Sequence, residues 1–190
     1  YLTLMNENYS HPKRPKNATT ENIIKGAYRY LENKDPSLRI LASGVTLNFA
    51  VDAEKELKKL GISTEIWSVT SFNELYKDGI EVERLNRYEN KKSVSYVESC
   101  FSECLPTVAV SEYVRAYTNQ IRQWINGDYI TLGTDGFGRS DTREELRNYF
   151  EISKDHIVIN ALIVSGNKDK AEKYIKDKKK LTILIASHDE

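Results

Sequence analysis

Leu38-Arg39-Ile40-Leu41-Ala42 is the stretch from which the fold can be read. This short apolar run ends at Ser43-Gly44, as is typical of a strand buried on both faces. A helical stripe from Leu47 to Leu60 follows, and Gly61 lies where helices often adopt a left-handed cap. Ile62 to Val69 then reads as another strand. Strand, helix and strand in this order, joined by short connections, predict a parallel β-α-β unit.

The same alternation continues along the chain. Helices are predicted for residues 71–85, with a possible interruption at Gly79, and for residues 96–101, 142–150 and 154–165. Two stripes predict further helices, one beginning at Thr20 (Ile23, Ile24, Ala27, Tyr28, Leu31) and one later in the chain (Val114, Tyr117, Ile121, Trp124). We therefore expect an α/β fold, a three-layer domain with a mostly parallel sheet of about five strands. Its strands should include Leu38–Ala42, Glu65–Val69, Thr107–Val110 and Tyr129–Leu132.

Two regions set the expected domain boundaries. Residues 9–17 are polar, basic and interrupted by Pro12 and Pro15, which predicts a connector. We therefore expect an interdomain linker over 1–17 and one domain over 18–190, of which 166–190 form the tail. The charged residues 168–180, followed by the apolar residues 181–186, fit either a helix and a late strand or a frayed tail. The chain starts at Tyr1 without a signal-peptide pattern, so we expect an excised piece or a processed product.

Composition narrows the classes of function. The 28 basic and 28 acidic residues among 190 give a net charge of zero, which argues against a general attraction to nucleic acid or to an anionic membrane. No apolar run approaches the ~20 residues that span a bilayer. Cys100 and Cys104 do not suggest a disulfide framework, so a reducing cytoplasm is expected. Their spacing would put them on one side of a helix, where two buried small hydrophobic residues are favoured over half of a metal site.

One segment suggests a binding site. The run from Gly133 to Glu144 follows a predicted strand and precedes a predicted helix, with Asp141 and Glu144 at capping-box spacing. Free amides at the helix start could hold an anion, although the G-x-x-G-x-G spacing differs from the dinucleotide fingerprint and from the P-loop. A structural strand-to-helix turn is the simpler interpretation. The candidate anion or interface loop comprises Gly136, Phe137, Gly138, Arg139, Ser140, Asp141 and Arg143.

The histidines add no catalytic centre. His11, His156 and His188 have no cysteine or carboxylate neighbour at metal-ligand spacing, and no nucleophile-base pair can be assembled from the sequence. We therefore predict no catalytic, cofactor-binding or metal-binding residue in this chain.

Three runs carry a family resemblance: Met5–Tyr9, Trp67–Leu75 and Leu132–Arg143. Together they resemble the C-terminal region of the homodimeric pyruvate dehydrogenase decarboxylating component, a family that belongs with the transketolases, and the resemblance covers roughly residues 1–165. It implies a transketolase C-terminal-like domain of a bacterial, cytoplasmic oxidoreductase. Such an enzyme acts after glycolysis and uses thiamine diphosphate and magnesium to decarboxylate pyruvate and reductively acetylate lipoyl groups.

The resemblance also implies partners and a division of labour. The expected partners are a second copy of the subunit and the lipoyl-bearing acetyltransferase of the multienzyme complex, with no nucleic acid and no membrane. The family's diphosphate motif, Gly-Asp-Gly with a later pair of asparagines, is absent from this sequence. We therefore expect an assembly domain that holds no cofactor and is inactive alone. The alternatives are the C-terminal domain of a transketolase-like sugar enzyme and a free-standing anion-binding module.

Overall fold

A five-stranded mixed sheet forms the middle layer of the domain. The computed structural model describes residues 8–89 and 92–178, and the sheet order within them is β1-β3-β2-β4-β5. The strands are β1 (Ala27–Glu32), β2 (Leu38–Ala42), β3 (Thr64–Val69), β4 (Thr107–Val110) and β5 (Tyr129–Leu132). Strands β2 to β5 pair in parallel, whereas β1 pairs antiparallel to β3 at the edge. The mostly parallel sheet of about five strands is thereby confirmed.

Helices cover both faces of the sheet. On one face, α2 (Thr46–Lys59), α7 (Lys154–Val164) and α8 (Lys168–Asp177) enclose a core that includes Leu57 and Leu162. On the other face, α3 (Phe72–Glu89), α4 (Tyr96–Cys100) and α5 (Arg115–Asn119) pack around Trp67, Phe72 and Phe101. Two further helices are α1 (Thr20–Lys25) and α6 (Arg143–Tyr149). The three layers follow because the inner strands β2, β3 and β4 bury side chains on both faces of the sheet.

The single long helix predicted from Thr20 is wrong. Helix α1 ends at Lys25, and residues 27–32 form β1 instead. Gly26 makes the break, because it takes a left-handed φ of 108°, and a Cβ there would lie 2.5 Å from the carbonyl oxygen of Ser71. The apolar stripe was therefore shared between two elements, and pairing with β3 overrides the local helical period.

The remaining predictions need small corrections. Helix α3 runs through Gly79 without interruption, and the stripe from Val114 to Trp124 divides into α5 and a 3₁₀ turn, Arg122–Trp124. Cys100 is partly buried, but Cys104 is exposed, so its prediction as a buried residue is wrong. Helix α8 occupies most of 168–180, while the late strand suggested for 181–186 lies outside the described residues.

Candidate functional site

The loops after β2, β4 and β5 meet at the carboxyl edge of the sheet. Because these strands are parallel, Ser43, Ser111 and Gly133 leave the sheet on the same side. Residues 133–142, here called the glycine loop, connect β5 to α6. The neighbouring residues 111–114, here called the β4–α5 turn, lie beside its first half. The candidate residues predicted from the sequence therefore lie at the edge where α/β proteins place their functional loops.

The first half of the glycine loop is fixed to the β4–α5 turn. Thr134 donates its N–H to the Tyr113 carbonyl at 2.8 Å and its hydroxyl to the Glu112 carbonyl at 3.0 Å. Asp135 accepts from the backbone N–H of Arg115 at 2.8 Å and from its Nε at 2.5 Å. A Cβ at Gly133 would lie 2.5 Å from the Tyr113 carbonyl oxygen, so close backbone approach requires glycine there.

The second half of the glycine loop is more open. Gly136 adopts a positive φ of 93°, whereas a Cβ at Gly138 would meet nothing within 4 Å. The Phe137 side chain is 95% exposed. The guanidinium of Arg139 lies 4.2 Å from the centre of the Tyr149 ring, which holds it over α6. The structure thus brings Arg139 and Asp141 to one surface but leaves Phe137 away from any core.

The predicted cap at Asp141 is displaced by one residue. Thr142 is the N-cap of α6, with an extended backbone, and its hydroxyl accepts the N–H of Glu145 at 3.3 Å. Asp141 instead accepts the N–H of Thr142 at 2.7 Å. The capping box of Asp141 and Glu144 is therefore wrong: Glu144 belongs to the first turn of the helix. Both spacings, Asp-x-x-Glu and Thr-x-x-Glu, occur in the sequence, and the helix begins one residue later than expected.

Acidic groups line the clefts that adjoin the glycine loop. One cleft, of about 520 Å³, includes Arg115, Asp135 and Glu151. Another, of about 270 Å³, includes Arg139, Asp141 and Glu145. A further cleft, of about 170 Å³, includes Glu112, Arg143 and Arg147. The hydrogen bonds from Arg115 lower the pKa of Asp135, so that this arginine already faces a carboxylate. An anion entering any of these clefts would meet negative charges as well as arginine.

Arg147 of α6 forms a cluster that no sequence motif predicts. Its Nη2 donates to Glu112 Oε1 at 3.1 Å and to the Tyr9 hydroxyl at 2.6 Å. Its guanidinium also lies 4.8 Å from the centre of the Phe49 ring. Burial opposes the charged form, but the bonds to Tyr9 and Glu112 raise the pKa of Arg147 above its ordinary value. These residues are distant in sequence, and no motif connects them.

The carboxyl edge does not fit a magnesium–diphosphate group. Such a site needs carboxylate and amide oxygens that are free to bind the metal. Two of the carboxylates at this edge, Asp135 and Glu112, are instead paired with Arg115 and Arg147. Among residues 8–89 and 92–178, no three histidine, cysteine, aspartate or glutamate side chains come close enough to hold a metal ion. The same part of the chain has no helix with the length and apolar character needed to cross a membrane.

The two histidines within the described residues make only local contacts, as structural residues do. His156 is buried in α7, where its Nδ1 lies 2.8 Å from the Ser153 hydroxyl and its Nε2 has no hydrogen-bond partner in the structure. Burial lowers the pKa of His156. His11 is exposed, with Nδ1 2.9 Å from the carbonyl oxygen of Pro12. His188 lies outside the described residues.

A family model for the transketolase-like C-terminal domain matches residues 26–153. The chain belongs to this family. Solved structures agree at the level of the fold: a transketolase from Leishmania mexicana superposes with a TM-score of 0.59 and 21% identity, covering 80% of this chain and 19% of that one. A split-gene transketolase, described as an inactive beta4 tetramer, matches with a TM-score of 0.52 and 15% identity over 76% of this chain and 43% of that one.

Curated relatives of this transketolase-like C-terminal domain are more similar in sequence. The pyruvate dehydrogenase E1 component of Pseudomonas aeruginosa is 46% identical over 170 residues, which is 85% of this chain. The E1 component of Escherichia coli K12 is 38% identical over 168 residues, again 85% of the chain. The matched region is 19% of each relative, so this chain spans about a fifth of their length. Helices α7 and α8 follow the region that the family model matches.

Proposed function

We propose that this chain is the C-terminal assembly domain of a thiamine-diphosphate-dependent pyruvate dehydrogenase component, which decarboxylates pyruvate and reductively acetylates lipoyl groups. The observation that supports this proposal most directly is the 46% identity to a pyruvate dehydrogenase E1 component, against 21% to a transketolase. The difference favours the pyruvate enzyme over a transketolase-like sugar enzyme on the same fold. Residues 1–17 are then the interdomain linker, and the domain extends from residue 18 to the C-terminal tail.

In this proposal the chemistry belongs to other domains of the subunit. Thiamine diphosphate, with magnesium, supplies the carbanion chemistry that decarboxylates pyruvate when it is bound there. The arginine-paired carboxylates at the carboxyl edge support this division, because they are poor ligands for a magnesium–diphosphate group. We therefore propose that no residue of this chain is catalytic and that the chain alone is inactive.

The proposed role of the domain is to hold the assembly. Its partners would be a second copy of the subunit and the lipoyl-bearing acetyltransferase of the complex, in a bacterial cytoplasm. Phe137 and Tyr113, 95% and 63% exposed, give the carboxyl edge an apolar surface that suits such a contact. Arg139, beside Phe137, is the residue of the glycine loop best suited to meet an anionic group there.

A domain exchange tests this proposal. The matching region of the Pseudomonas aeruginosa E1 component would be replaced by this chain, and pyruvate decarboxylation and subunit mass would be measured. We expect a dimer with activity within about tenfold of the parent, because 46% identity preserves most packing contacts. The matched control receives the corresponding region of the Leishmania mexicana transketolase, 21% identical to this chain, and should lose activity.

Two results would contradict the proposal. A well-folded exchange enzyme that decarboxylates no pyruvate would remove the pyruvate dehydrogenase assignment. A transketolase carrying this chain that retains full sugar transfer would favour the sugar enzyme instead. Within a working exchange enzyme, Arg139→Ala would test the glycine loop: unchanged dimer mass and unchanged turnover would leave that loop with only a structural role.

A further inference from the structure

The connector that precedes the domain is attached to the carboxyl edge at its first described residues. The Tyr9 hydroxyl accepts a hydrogen bond from Nη2 of Arg147 at 2.6 Å, and the guanidinium lies 5.6 Å from the centre of the Tyr9 ring. The carbonyl of Ser10 accepts a bond from the side-chain amide of Asn48 at 3.3 Å. These contacts join residues 9–10 to α6 and α2, which follow much later in the chain.

A second set of contacts holds the other end of the connector. The side-chain amide of Asn17 donates to the carbonyl of Arg29 on β1 at 2.9 Å, and Arg14 Nε donates to the carbonyl of Ala18 at 2.6 Å. Ala18 itself is buried. Residues 11–16 between these points include Pro12 and Pro15, which restrict the backbone. The connector is therefore a strap fixed at two ends rather than a free linker.

Arg147 is held in place by more than Tyr9. Its Nε and Nη2 both donate to Oε1 of Glu112, at 3.3 and 3.1 Å, and Phe49 packs against its guanidinium. The Arg147 and Glu112 side chains are only 16% and 28% exposed, which limits screening by water. Because the guanidinium is planar and held by Glu112 and Phe49, the second N–H of Nη2 points in one direction, toward Tyr9.

Glu112 connects this cluster to the glycine loop. Its side chain binds Arg147, and its backbone carbonyl accepts the hydroxyl of Thr134 at 3.0 Å. The next carbonyl, of Tyr113, accepts the N–H of Thr134 at 2.8 Å. A continuous chain of contacts therefore runs from Tyr9 through Arg147 and Glu112 to Thr134.

We infer that Tyr9 is an intramolecular anchor, which fixes the connector on the carboxyl edge and, through Arg147 and Glu112, couples the connector to the glycine loop. The direction in which the chain enters the domain and the geometry of the glycine loop are then set by one cluster. A displacement of the connector would loosen the loop, and a displaced loop would loosen the connector. This inference concerns contacts within the chain and does not depend on the proposed function.

Two measurements on the full chain test the two parts of this inference. Trypsin cleavage after Lys13 and Lys16, followed by mass spectrometry, reports release of the connector. Hydrogen exchange of the Thr134 amide, which is bonded to Tyr113, reports opening of the glycine loop. In Tyr9→Phe, which removes only the hydroxyl, we expect connector cleavage to rise roughly five- to tenfold, the factor that one hydrogen bond contributes. We expect Thr134 exchange to rise in the same direction.

A control substitution and a second substitution within the cluster complete the test. Tyr88→Phe, at an exposed tyrosine of α3, should change neither measurement. Glu112→Gln should increase both, and in the double variant the increases should be less than additive, because both changes disrupt one cluster. Cleavage in Tyr9→Phe that matches Tyr88→Phe would overturn the anchor. Faster cleavage with unchanged Thr134 exchange would overturn the coupling.

Discussion

At the scale of single residues, the start of α6 rests on Thr142. Its hydroxyl accepts the Glu145 N–H, whereas Asp141 binds only the N–H of Thr142. We expect Thr142→Ala to lower the free energy of unfolding by about 1 kcal/mol, because an amide at the helix start loses its protein partner. Asp141→Ala should cost less, about 0.5 kcal/mol, through its charge near the helix start. Urea unfolding of both variants measures the difference, and a larger loss for Asp141→Ala would restore the original assignment.

Because His156 is buried, we expect the free energy of unfolding to depend on pH. Because burial depresses its pKa below the ordinary 6.5, the unfolded chain binds this proton more readily than the folded one. The contribution to stability is complete above the unfolded pKa and declines as pH falls from about 7 toward the lower folded pKa. Glu151 and Asp155 act in the opposite direction without reversing the shift.

The test for His156 is urea unfolding between about pH 7.5 and 5. His156→Gln removes the titrating group and should flatten the decline over that range. His11→Gln, at an exposed histidine of the connector, is the matched control and should keep the decline of the unaltered chain. A decline of equal steepness in His156→Gln would show that other groups cause it.

Functional residues that lie together in the chain could be predicted from the sequence, whereas residues whose partners are distant in the chain could not. The glycine loop was visible because its glycines and charges lie together in the chain. Tyr9, Glu112 and Arg147 come together only through the fold, since Tyr9 and Arg147 are separated by most of the chain. A periodicity or a spacing contains no information about such contacts. These contacts are visible only in the folded structure, where α6 packs against the β4–α5 turn.

At the scale of elements, Gly79 shows why α3 contains a glycine without being interrupted. A Cβ at this position would lie 2.5 Å from Cζ2 of the Trp124 ring, and the indole N–H of Trp124 donates to Glu83 Oε1 of the same helix at 2.9 Å. Glycine thus permits a bulky ring to pack directly on the helix backbone. The sequence pattern suggested a break, but the reason for the glycine is a neighbouring element.

We expect Gly79→Ala to destabilise the chain by about 1–3 kcal/mol, because overpacking against Trp124 exceeds the gain of about 1 kcal/mol that alanine brings to a helix. Thermal unfolding measures this change. Trp124→Phe removes the atoms nearest to the added methyl group, so the two substitutions together should cost less than the sum of their separate costs. If Gly79→Ala instead stabilises the chain, the ring can move at little cost.

The strands that were predicted correctly each have a clear sequence pattern and pair in parallel with a neighbouring strand. Strands β2, β4 and β5 were found at their observed bounds, because each is a short apolar run in a parallel sheet. Strand β1 was not found. It is the antiparallel edge strand, and its residues Ala27, Tyr28 and Leu31 continue the stripe of α1 closely enough to imitate one helix.

At the scale of the whole molecule, a buried ion pair joins the centre of the sheet to its edge. Arg39 on β2 and Glu65 on β3 are each 1% exposed at the side chain, with Arg39 Nε 2.5 Å from Glu65 Oε1. Arg29 on β1 approaches the other carboxylate oxygen at 3.3 Å. Arg39 also lies 5.3 Å from the centre of the Phe101 ring, at the end of α4. One carboxylate therefore connects three strands.

We expect Glu65→Gln to destabilise the chain by about 3–5 kcal/mol, because it leaves the Arg39 guanidinium buried without an opposite charge. Arg39→Met, combined with Glu65→Leu, removes both charges, fills a similar volume, and should recover much of that loss. Lys55→Met, which disrupts the exposed pair with Asp52, is the control and should change the free energy of unfolding far less than Glu65→Gln does. Guanidinium unfolding of the unaltered chain, Glu65→Gln, the double variant and Lys55→Met measures these differences in stability. A double variant no more stable than Glu65→Gln would show that the pair supplies a specific geometry that apolar packing cannot replace.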